Sequence, residues 1–507
     1  MIPLLISLSL TLSGLYYFLV YRRLPTVSKW PPGPRGIPWI GRVWDLPRSH
    51  AYIRFQQWSK QYGDIYGITL FGSNHIFLAS DKIAHELLSK RGALHQDRPA
   101  ILQLEDSRNA PEYLPLLGHN AVWSRQRKLV TQIMTESIRT NHLDIPALEL
   151  PQMLLELLSR PEEFQDHLEN YSSRIIARLA YGDAQHYARV RIASQGLLEA
   201  ISPAKYLSIL VPPLRYLPKW LSPWKREETA RHAEEREFFM RAQAGVAQEM
   251  RTGTAPWSFM KRCLESKSHT GMPDMECAYI VGMLGVAGVL TTSSAMMTYL
   301  LAMTLHPEWQ VRVQEEVDRV CGNRMPIMSD SPQMPVLRAV IMEIMRWRPI
   351  VPAAIPHRTT EDDMYDGYFI PKGSHIHATT WAITRNPSQY PSPEVFDPDR
   401  WLQPSSPSYK APLTEYPNIR NFTSFGYGRR VCIGQDLTQH EFFLAMGGMA
   451  WAMTVEKKRD GMGKEIEVPV HDYGTFVITK PEKFEFEVRP RTEKKVVMIE
   501  EWRREAK

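Results

Sequence analysis

A run of 29 residues without a charged side chain, from Cys277 to Leu305, most limits what this chain can fold into. Its length and apolar character fit a membrane-spanning helix, and they fit equally a helix buried through the centre of a large domain. Gly282, Gly285 and Gly288 recur at every third position, which keeps them near one face of a helix where a large group can approach the backbone. On its own, the run leaves both interpretations open.

The N-terminus predicts a membrane anchor over residues 1–21. Residues 2–20 carry no charge, and an α-helix of this length spans about 30 Å of hydrocarbon. Arg22 and Arg23 follow directly, so the positive-inside rule places the rest of the chain in the cytosol. A cleaved signal peptide is the alternative, but no basic segment precedes the apolar stretch and no clear small-residue cleavage site follows it. Residues 22–36 are basic and proline-rich, and we expect a stiff hinge there.

Composition disfavours some classes of function. The 507 residues carry a formal net charge of +6 and no dense run of lysine and arginine, so we do not expect a nucleic-acid partner. This mild charge is compatible with an anionic membrane surface or an acidic protein partner. The four cysteines form no CxxC pair and no zinc or disulfide framework, which favours a reducing compartment.

Hydrophobic periodicity predicts one large α-rich domain after the N-terminus, because neither an internal repeat nor a Gly/Ser linker divides the chain. The local predictions are a hairpin over 64–79, a helix through Lys90 capped by Asp81, a long solvated helix over 225–250, short strands such as 368–370 within the Pro- and Gly-rich stretch 355–420, and a charged tail from 488 that frays.

The segment from Phe425 to Gly434, Phe-Gly-Tyr-Gly-Arg-Arg-Val-Cys-Ile-Gly, carries the strongest chemical signal. A thiolate that binds heme iron must stay ionised in an apolar setting, and a loop that enters a helix N-terminus lowers the pKa of a thiol such as Cys432. Gly428 and Gly434 allow tight turns and close approach of a macrocycle. Phe425 is placed to cover the sulfur, and Arg430 to pair with a propionate. A glycine-rich turn around a buried cysteine is the simpler interpretation.

This ten-residue pattern, Phe-x-x-Gly-x-Arg-x-Cys-x-Gly, resembles the complete heme-ligand signature of the cytochrome P-450 family. Two further motifs follow in the family's order. Glu343-x-x-Arg346 resembles its Glu-x-x-Arg pair, whose members lie one helical turn apart. The sequence Phe-Asp-Pro-Asp-Arg-Trp ending at Trp401 resembles the segment whose arginine, here Arg400, joins that pair in a buried network.

The resemblance covers essentially the whole chain and implies its fold. That fold is mainly α with a small β-rich lobe, the cytochrome P-450 fold, as a single large domain after an N-terminal transmembrane helix. The implied segments are the anchor over 1–21, the hinge over 22–36, the catalytic domain over 37–487 and the charged tail over 488–507. With this fold, the uncharged run at 277–305 is expected to be a buried helix.

The resemblance also implies the cofactor heme b (iron protoporphyrin IX), with Cys432 as the axial metal ligand. Trp123-x-x-x-Arg127 is similar to the family's Trp-x-x-x-Arg, whose members reach a heme propionate. His357 stands where many members place another propionate partner, and a surface histidine is the alternative there.

One motif departs from the family's pattern. The family usually shows Ala/Gly-Gly-x-Asp/Glu-Thr-Thr/Ser above the iron, and this chain has Ala287, Gly288, Val289, Leu290, Thr291 and Thr292. Ala287, Gly288 and Thr291 are the implied catalytic residues, but Leu290 replaces the acid that helps resupply protons. Thr291 with ordered water is one explanation, a substrate hydroxyl is a second, and chemistry other than ordinary oxygen insertion is a third.

The resemblance implies a heme-thiolate monooxygenase, similar to fungal microsomal members of secondary metabolism. It would use O2 and two electrons, passed from NADPH through a membrane NADPH–cytochrome P-450 reductase, to oxidise a medium-to-large apolar substrate. We expect a monomer, held by a single pass in the endoplasmic reticulum membrane with its catalytic domain in the cytosol. Arg125, Lys128 and Arg429 are candidates for a basic reductase-docking face, and simple surface charge is the alternative.

Two other functions stay open at this point. The same heme site could join two rings or close a ring by radical coupling without net oxygen insertion. A membrane-tethered heme sensor that does not turn over belongs to a different class of protein.

Overall fold

We describe a computed structural model of the chain, covering residue 11 and residues 29–505 except for 38–39, 48, 102, 105, 203–204, 206–213 and 215. The predicted anchor over 1–21 lies outside the described residues apart from Thr11, and so does the hinge before Lys29.

Helices form most of the described chain. In chain order they are α1 (Ala51–Tyr62), α2 (Asp81–His85), α3 (Gly92–His95), α4 (Ala121–Arg139), α5 (Ile145–Ser159), α6 (Phe164–Tyr181), α7 (Tyr187–Ala200), α8 (Pro223–Thr252), α9 (Phe259–Thr270), α10 (Asp274–Leu305), α11 (Pro307–Cys321), α12 (Pro335–Trp347), α13 (Thr380–Ile383), α14 (Gln435–Ala452) and α15 (Glu493–Glu505).

Small β-sheets form the β-rich lobe beside the helices. Their strands are β1 (Ile65–Leu70), β2 (Ser73–Leu78), β3 (His357–Arg358), β4 (Asp363–Tyr365), β5 (Tyr368–Ile370), β6 (His375–Ala378), β7 (Met453–Lys457) and β8 (Phe486–Pro490). The largest sheet has the order β1-β2-β6-β3, and the pairs β4-β5 and β7-β8 form the others. In the largest sheet β1 and β2 form the predicted antiparallel hairpin, whereas β2 pairs with β6 in parallel.

Local sequence explains where several helices begin. The Asn120 side chain caps α4 by accepting a hydrogen bond from the Trp123 N–H at 2.9 Å. The helices α8, α11 and α12 each begin with a proline, whose fixed φ and missing N–H suit the first helical position.

The uncharged run forms the central helix α10, as the family resemblance predicts. Among the described residues it is the one helix long and apolar enough to cross a membrane, and 72% of its most apolar window is buried inside the protein. The helices α6, α7, α8 and α14 pack against it. A Cβ at Gly282 or Gly288 would lie 2.5 Å from Phe239 or Ile176, respectively, so these glycines allow neighbouring helices to pack closely.

Two local predictions are wrong. Asp81 lies in the first turn of α2 and does not cap it; its carboxylate accepts a hydrogen bond from the Tyr427 hydroxyl at 2.7 Å instead. The charged C-terminal segment does not fray, because α15 buries Ile499 completely and places Trp502 against Trp451 with ring centroids 5.6 Å apart.

Candidate active site

Cys432 lies in a loop directly before α14. Its N–H donates a hydrogen bond to the Phe425 carbonyl at 2.8 Å, which closes the loop. The Gly434 N–H donates to the Cys432 Sγ at 3.4 Å. The sulfur therefore lies at the N-terminus of an 18-residue helix, where backbone N–H groups and the helix dipole favour negative charge.

The net effect of this setting on the thiol differs from the prediction. Burial raises the pKa of the Cys432 thiol, and the Gly434 N–H and the Arg127 charge lower it by less. The predicted lowering of the pKa is therefore not seen in the chain by itself, although Cys432 is exposed there and lies at a helix N-terminus, which favours the thiolate. A coordinating metal ion deprotonates a thiol outright, so a bound metal ion would be the main cause of ionisation of the Cys432 thiol.

The glycines of this loop have different roles. Gly428 has a φ of +57°, and a Cβ there would lie 2.2 Å from the Leu88 carbonyl oxygen, so both conformation and packing require glycine. Gly434 has an ordinary φ of −85°, and a Cβ there would lie 3.7 Å from the Cys432 Sγ. Only its closeness to the sulfur distinguishes Gly434.

Arg430 is a buried cation with donors to spare. Its Nε donates to the Gln96 carbonyl at 2.8 Å, and its guanidinium carbon lies 4.0 Å from the centroid of a Trp123 ring. Nη1 and Nη2 are buried without a hydrogen-bond partner in the part of the chain that the structure describes. Burial and the nearby Arg98 charge lower the pKa of Arg430 to about 8. Such a group fits an anionic ligand that accepts two hydrogen bonds.

Other predicted propionate partners surround Arg430. Arg127 donates to the Val431 carbonyl at 2.5 Å, which fixes it beside the Cys432 loop. His357 is buried, and its Nδ1 lies 2.8 Å from the His95 carbonyl oxygen. Burial lowers the pKa of His357, and the Arg98 and Arg430 charges lower it further, so these groups lie within electrostatic range of one another. The alternative of a surface histidine at position 357 is excluded by this burial.

Arg98 belongs to the same cluster, and sequence reasoning missed it. It is buried, and its Nη1 donates to the Ile355 and Pro356 carbonyls at 2.8 and 2.7 Å. Burial and the Arg127 charge lower its pKa to about 10. The only signal in the sequence is an arginine after Asp97, which suggests a local ion pair. Asp97 instead pairs with Arg108 and Arg358.

The face of α10 that carries the altered motif is open. Between Gly285 and Thr292, Ala287 is exposed and Gly288, Leu290 and Thr291 are half-buried, while the helix around them is buried. The Thr291 hydroxyl donates to the Ala287 carbonyl at 2.6 Å, so these two predicted residues share one face.

Comparison with known proteins gives the family. The cytochrome P-450 family model matches residues 31–486. This chain is a cytochrome P-450. It is 30% identical to the cytochrome P-450 monooxygenase virE of Hypocrea virens, over 94% of this chain and 88% of that protein. It is also 30% identical to the monooxygenase fogE of Aspergillus ruber, over 93% of this chain and 89% of that protein. It is 29% identical to monooxygenase 58 of Postia placenta, over 92% of this chain and 90% of that protein.

A solved zebra fish cytochrome P-450, determined with abiraterone, shares the fold. Its TM-score is 0.68 at 22% identity, and the match covers 87% of this chain and all of that one. The predicted family and the mainly α fold are therefore confirmed. The chain is an oxidoreductase of the monooxygenase type, from a family that binds heme.

The P-450 Glu-x-x-Arg motif forms a buried network here. Glu343 and Arg346 on α12 are both fully buried, with Arg346 Nη2 at 2.8 Å from Glu343 Oε1. Arg400 Nε lies 3.1 Å from the same oxygen, and Trp401 Nε1 donates to Glu343 Oε2 at 3.0 Å. The structure thus brings all three predicted members together and adds Trp401.

A second buried network in this P-450 was not predicted. Glu441 on α14 is fully buried, and its Oε1 accepts a hydrogen bond from the Ser172 hydroxyl at 2.6 Å. Thr292, next to Thr291 on α10, donates to the same Ser172 hydroxyl at 3.0 Å. Burial raises the pKa of Glu441 to about 7. A lone glutamate in the helix after Cys432 gave no signal of these partners, which come from distant segments.

Proposed function

We propose that this P-450 holds heme b through Cys432 and oxidises a medium-to-large apolar substrate. The observation that carries the proposal is the position of Arg430. Two residues before Cys432, it is buried in a cluster with Arg98, Arg127 and His357, and two of its donor nitrogens have no partner among the described residues. A macrocycle that carries two carboxylates beside the Cys432 thiol would match this charge.

Within this proposal the chain's residues have distinct roles. The propionates are bound by Arg430, Trp123, Arg127 and His357. Phe425 covers the sulfur, and Gly434 leaves room beside it. Bound heme supplies the activation of O2, to which an axial thiolate contributes electron density. The network of Glu343, Arg346 and Arg400 fixes α12 to the segment that precedes the Cys432 loop.

Thr291 is the proposed proton-handling residue, with Ala287 and Gly288 forming the surface beside it. Its hydroxyl donates to the Ala287 carbonyl and is free to exchange that partner for a water. Leu290 cannot carry a proton. The half-buried position of Thr291 lets ordered water reach it, which favours the explanation that Thr291 and water suffice.

An apolar cluster that includes part of α10 supports the apolar character of the proposed substrate. Its members include Leu104, Leu116, Leu197, Met283 and Val286, all buried. A binding site beside such a cluster favours hydrocarbon over charged groups. We also expect substrate contacts from the segments 101–120 and 200–224, both of which lie partly outside the described residues.

We further propose fungal secondary metabolism as the setting and NADPH–cytochrome P-450 reductase as the electron donor. The relatives named above are fungal monooxygenases, which supports the first point. The proposed protein is a monomer with a single-pass anchor at 1–21 in the endoplasmic reticulum membrane, and its catalytic domain faces the cytosol. The uncharged N-terminal stretch supports this topology.

The test compares Cys432→Ser with Cys321→Ser. Cys321 is a free, buried thiol that donates to Asp330, and serine preserves that donor. We expect the wild type and Cys321→Ser to give the carbon monoxide difference band of a thiolate-ligated ferrous heme, and Cys432→Ser to lose that band and substrate oxidation. Unchanged heme content and band in Cys432→Ser would refute the ligand assignment. In the wild type, product mass after turnover in labelled O2 then distinguishes oxygen insertion from coupling, which removes hydrogens instead.

A further inference from the structure

Three histidines cluster on one face of the β1-β2-β6-β3 sheet. In the parallel pairing of β2 with β6, His75 lies opposite His375 and Phe77 lies opposite His377. Side chains alternate between the faces of a sheet, so His75, His375 and His377 share one face. His357 on β3 pairs with Ile376 and therefore belongs to the other face, so the three histidines are separate from the proposed heme cluster.

The ring nitrogens of these histidines converge. His75 Nδ1 and His377 Nε2 are 3.0 Å apart, and one potential ligand nitrogen from each of the three rings lies within 4.8 Å of the other two. The His75 and His375 ring centroids are 4.6 Å apart, and Phe77 stacks on His377 with centroids also 4.6 Å apart. Phe77 is itself buried against Tyr66, so the apolar side of the cluster is well supported.

The cluster is neutral and rich in lone pairs. Two ring nitrogens 3.0 Å apart can share only one proton between them, so at least one of them faces the other with a lone pair. An imidazole is mostly uncharged at neutral pH, so each of the three half-buried rings can offer a nitrogen lone pair. Arg358, the neighbour of His375 on β3, is paired at 3.0 Å with the buried Asp97, which compensates its charge only in part because Asp97 also pairs with Arg108.

A hydrogen bond between two histidines is the simplest role for this cluster, but it leaves the third ring unexplained. A tetrahedral zinc ion holds imidazole nitrogens at about 2.0–2.1 Å, which places two such nitrogens about 3.3 Å from each other. The His75–His377 distance of 3.0 Å is already close to this value. The third ring would have to approach by about 1.5 Å at most, which is within the range of side-chain rotation.

We propose that His75, His375 and His377 bind a divalent transition-metal ion of the zinc type. Imidazole nitrogens suit zinc, copper and nickel ions, and zinc is commonly held by three histidines with a fourth position left open. The fourth position is open to water or a small anion. No carboxylate or thiolate is required, because the three nitrogens come from neighbouring strand positions that the sheet holds in register.

Such an ion would join two distant parts of the chain. One ligand comes from the N-terminal hairpin and two come from β6, whose other neighbour, β3, carries His357. Because the three ligands come together only in the folded protein, zinc would bind the folded protein and not the unfolded chain. It would therefore stabilise the β-rich lobe. By linkage, the unfolding temperature of the protein should rise with free zinc concentration above the dissociation constant.

The test uses the tag-free, full-length holoenzyme in detergent, after removal of metals with a chelator. Zinc binding is measured by equilibrium dialysis with elemental analysis, and zinc K-edge absorption gives the ligand shell. We expect one zinc per heme, a shell of three imidazoles at about 2.0–2.1 Å, and an unfolding temperature raised by zinc. His375→Gln and His377→Gln should each weaken zinc binding at least tenfold. His85→Gln, an exposed histidine on α2, should leave zinc binding unchanged.

Wild-type protein that binds no zinc would overturn the proposal. So would a His375→Gln/His377→Gln double variant that binds zinc as tightly as wild type. An absorption edge dominated by carboxylate or sulfur ligands would do the same. The carbon monoxide difference band of each variant reports whether it folds with heme. If a variant loses that band, the ligand shell measured on the wild type still decides, because it requires no substitution.

Discussion

At the scale of single residues, Glu441 makes the stability of this protein depend on pH. Its pKa is raised from 4.5 to about 7 by complete burial. Between these values the folded protein retains a proton that the unfolded chain has released, so the free energy of unfolding falls as pH rises from about 4.5 to 7. The stabilisation that protonated Glu441 contributes is complete below pH 4.5 and is lost above pH 7.

Glu441→Gln should remove this dependence. Glutamine stays neutral and still accepts a hydrogen bond from Ser172. Between pH 5 and 8 the free energy of unfolding should therefore fall by about 3 kcal/mol less in the variant than in wild type. Unfolding of the holoenzyme followed across this pH range measures the difference. Glu456→Gln, at an exposed position on β7, is the matched control and should run parallel to wild type. Parallel curves for wild type and Glu441→Gln would contradict the prediction.

Residues in this site were predictable when a local motif carried them. Arg430 and Cys432 could be predicted as members of one site because they belong to one local motif, and the structure places both in the loop before α14. Arg98 was missed because its partners, the Ile355 and Pro356 carbonyls, come from a segment far along the chain. Arg125, a candidate for the docking face, is exposed, and it forms a bidentate pair with the buried Glu276 that no local pattern predicted.

At the scale of secondary-structure elements, the glycines of α10 can be separated by what a side chain would meet. A Cβ at Gly282 would lie 2.5–2.6 Å from ring atoms of the buried Phe239, whereas the nearest atom to one at Gly285 would be 3.5 Å away. Overpacking costs about 1–3 kcal/mol, and replacing glycine by alanine in a helix recovers up to about 1 kcal/mol.

We therefore expect opposite effects from the same substitution. Gly282→Ala should destabilise the protein by about 1–2 kcal/mol, and Gly285→Ala should stabilise it by about 0.5–1 kcal/mol. Chemical denaturation of both variants, followed by helical circular dichroism, measures the two changes. The packing argument fails if both variants shift in the same direction.

The network around Glu343 links α12 to the segment that carries Arg400. Arg400→Met leaves the buried Glu343 without one of its cations, and removal of one partner from such a network costs about 3–5 kcal/mol. Asp399→Asn, one residue away, breaks the more exposed pair with Arg312 and should cost less than about 1 kcal/mol. Heme content after purification and the unfolding midpoint should separate the two variants. Equal losses in both would show that the network is not the source of stability.

The elements themselves were well predicted where the pattern was long. The uncharged run and the charged stretch at 225–250 became α10 and α8 because a composition sustained over many residues outweighs local chance. Asp81 was misassigned because an aspartate before a helix resembles a cap, and only the tertiary position of Tyr427 shows its actual partner. The tail appeared too charged to pack, yet the buried Ile499 and the contact of Trp502 with Trp451 hold α15 against the domain.

At the scale of the whole molecule, the family motifs predicted the fold, whereas physical patterns alone predicted only its parts. The hairpin at 64–79 was visible as alternation, but its parallel pairing with β6 joins segments that no local signal connects. The same pairing brings His75 to His375 and His377, so the proposed zinc site was invisible in the sequence. Long-range pairing of this kind is set by the packed domain.

Surface charge gives the final prediction, which concerns electron delivery. Lys128 on α4 and Arg429 in the Cys432 loop are both exposed, whereas Arg125 is neutralised by Glu276. Exposed charges of one sign accelerate encounter with a partner of the opposite sign, and salt screens this effect. We expect Lys128→Glu/Arg429→Glu to slow reduction of the heme by the reductase about tenfold at low salt. The reduction rates of wild type and of the double variant should become equal near 1 M salt, where the screening length is about 3 Å.

The measurement is stopped-flow reduction under carbon monoxide at several ionic strengths. Lys60→Glu, at an exposed position on α1, is the matched control and should reduce like wild type at every salt concentration. A slower rate that persists at high salt would indicate damage to the heme loop, because screening leaves short-range structural effects unchanged. An unchanged rate at low salt would place the docking surface elsewhere. Only a salt-dependent loss confined to the double variant connects the two basic residues to the electron donor.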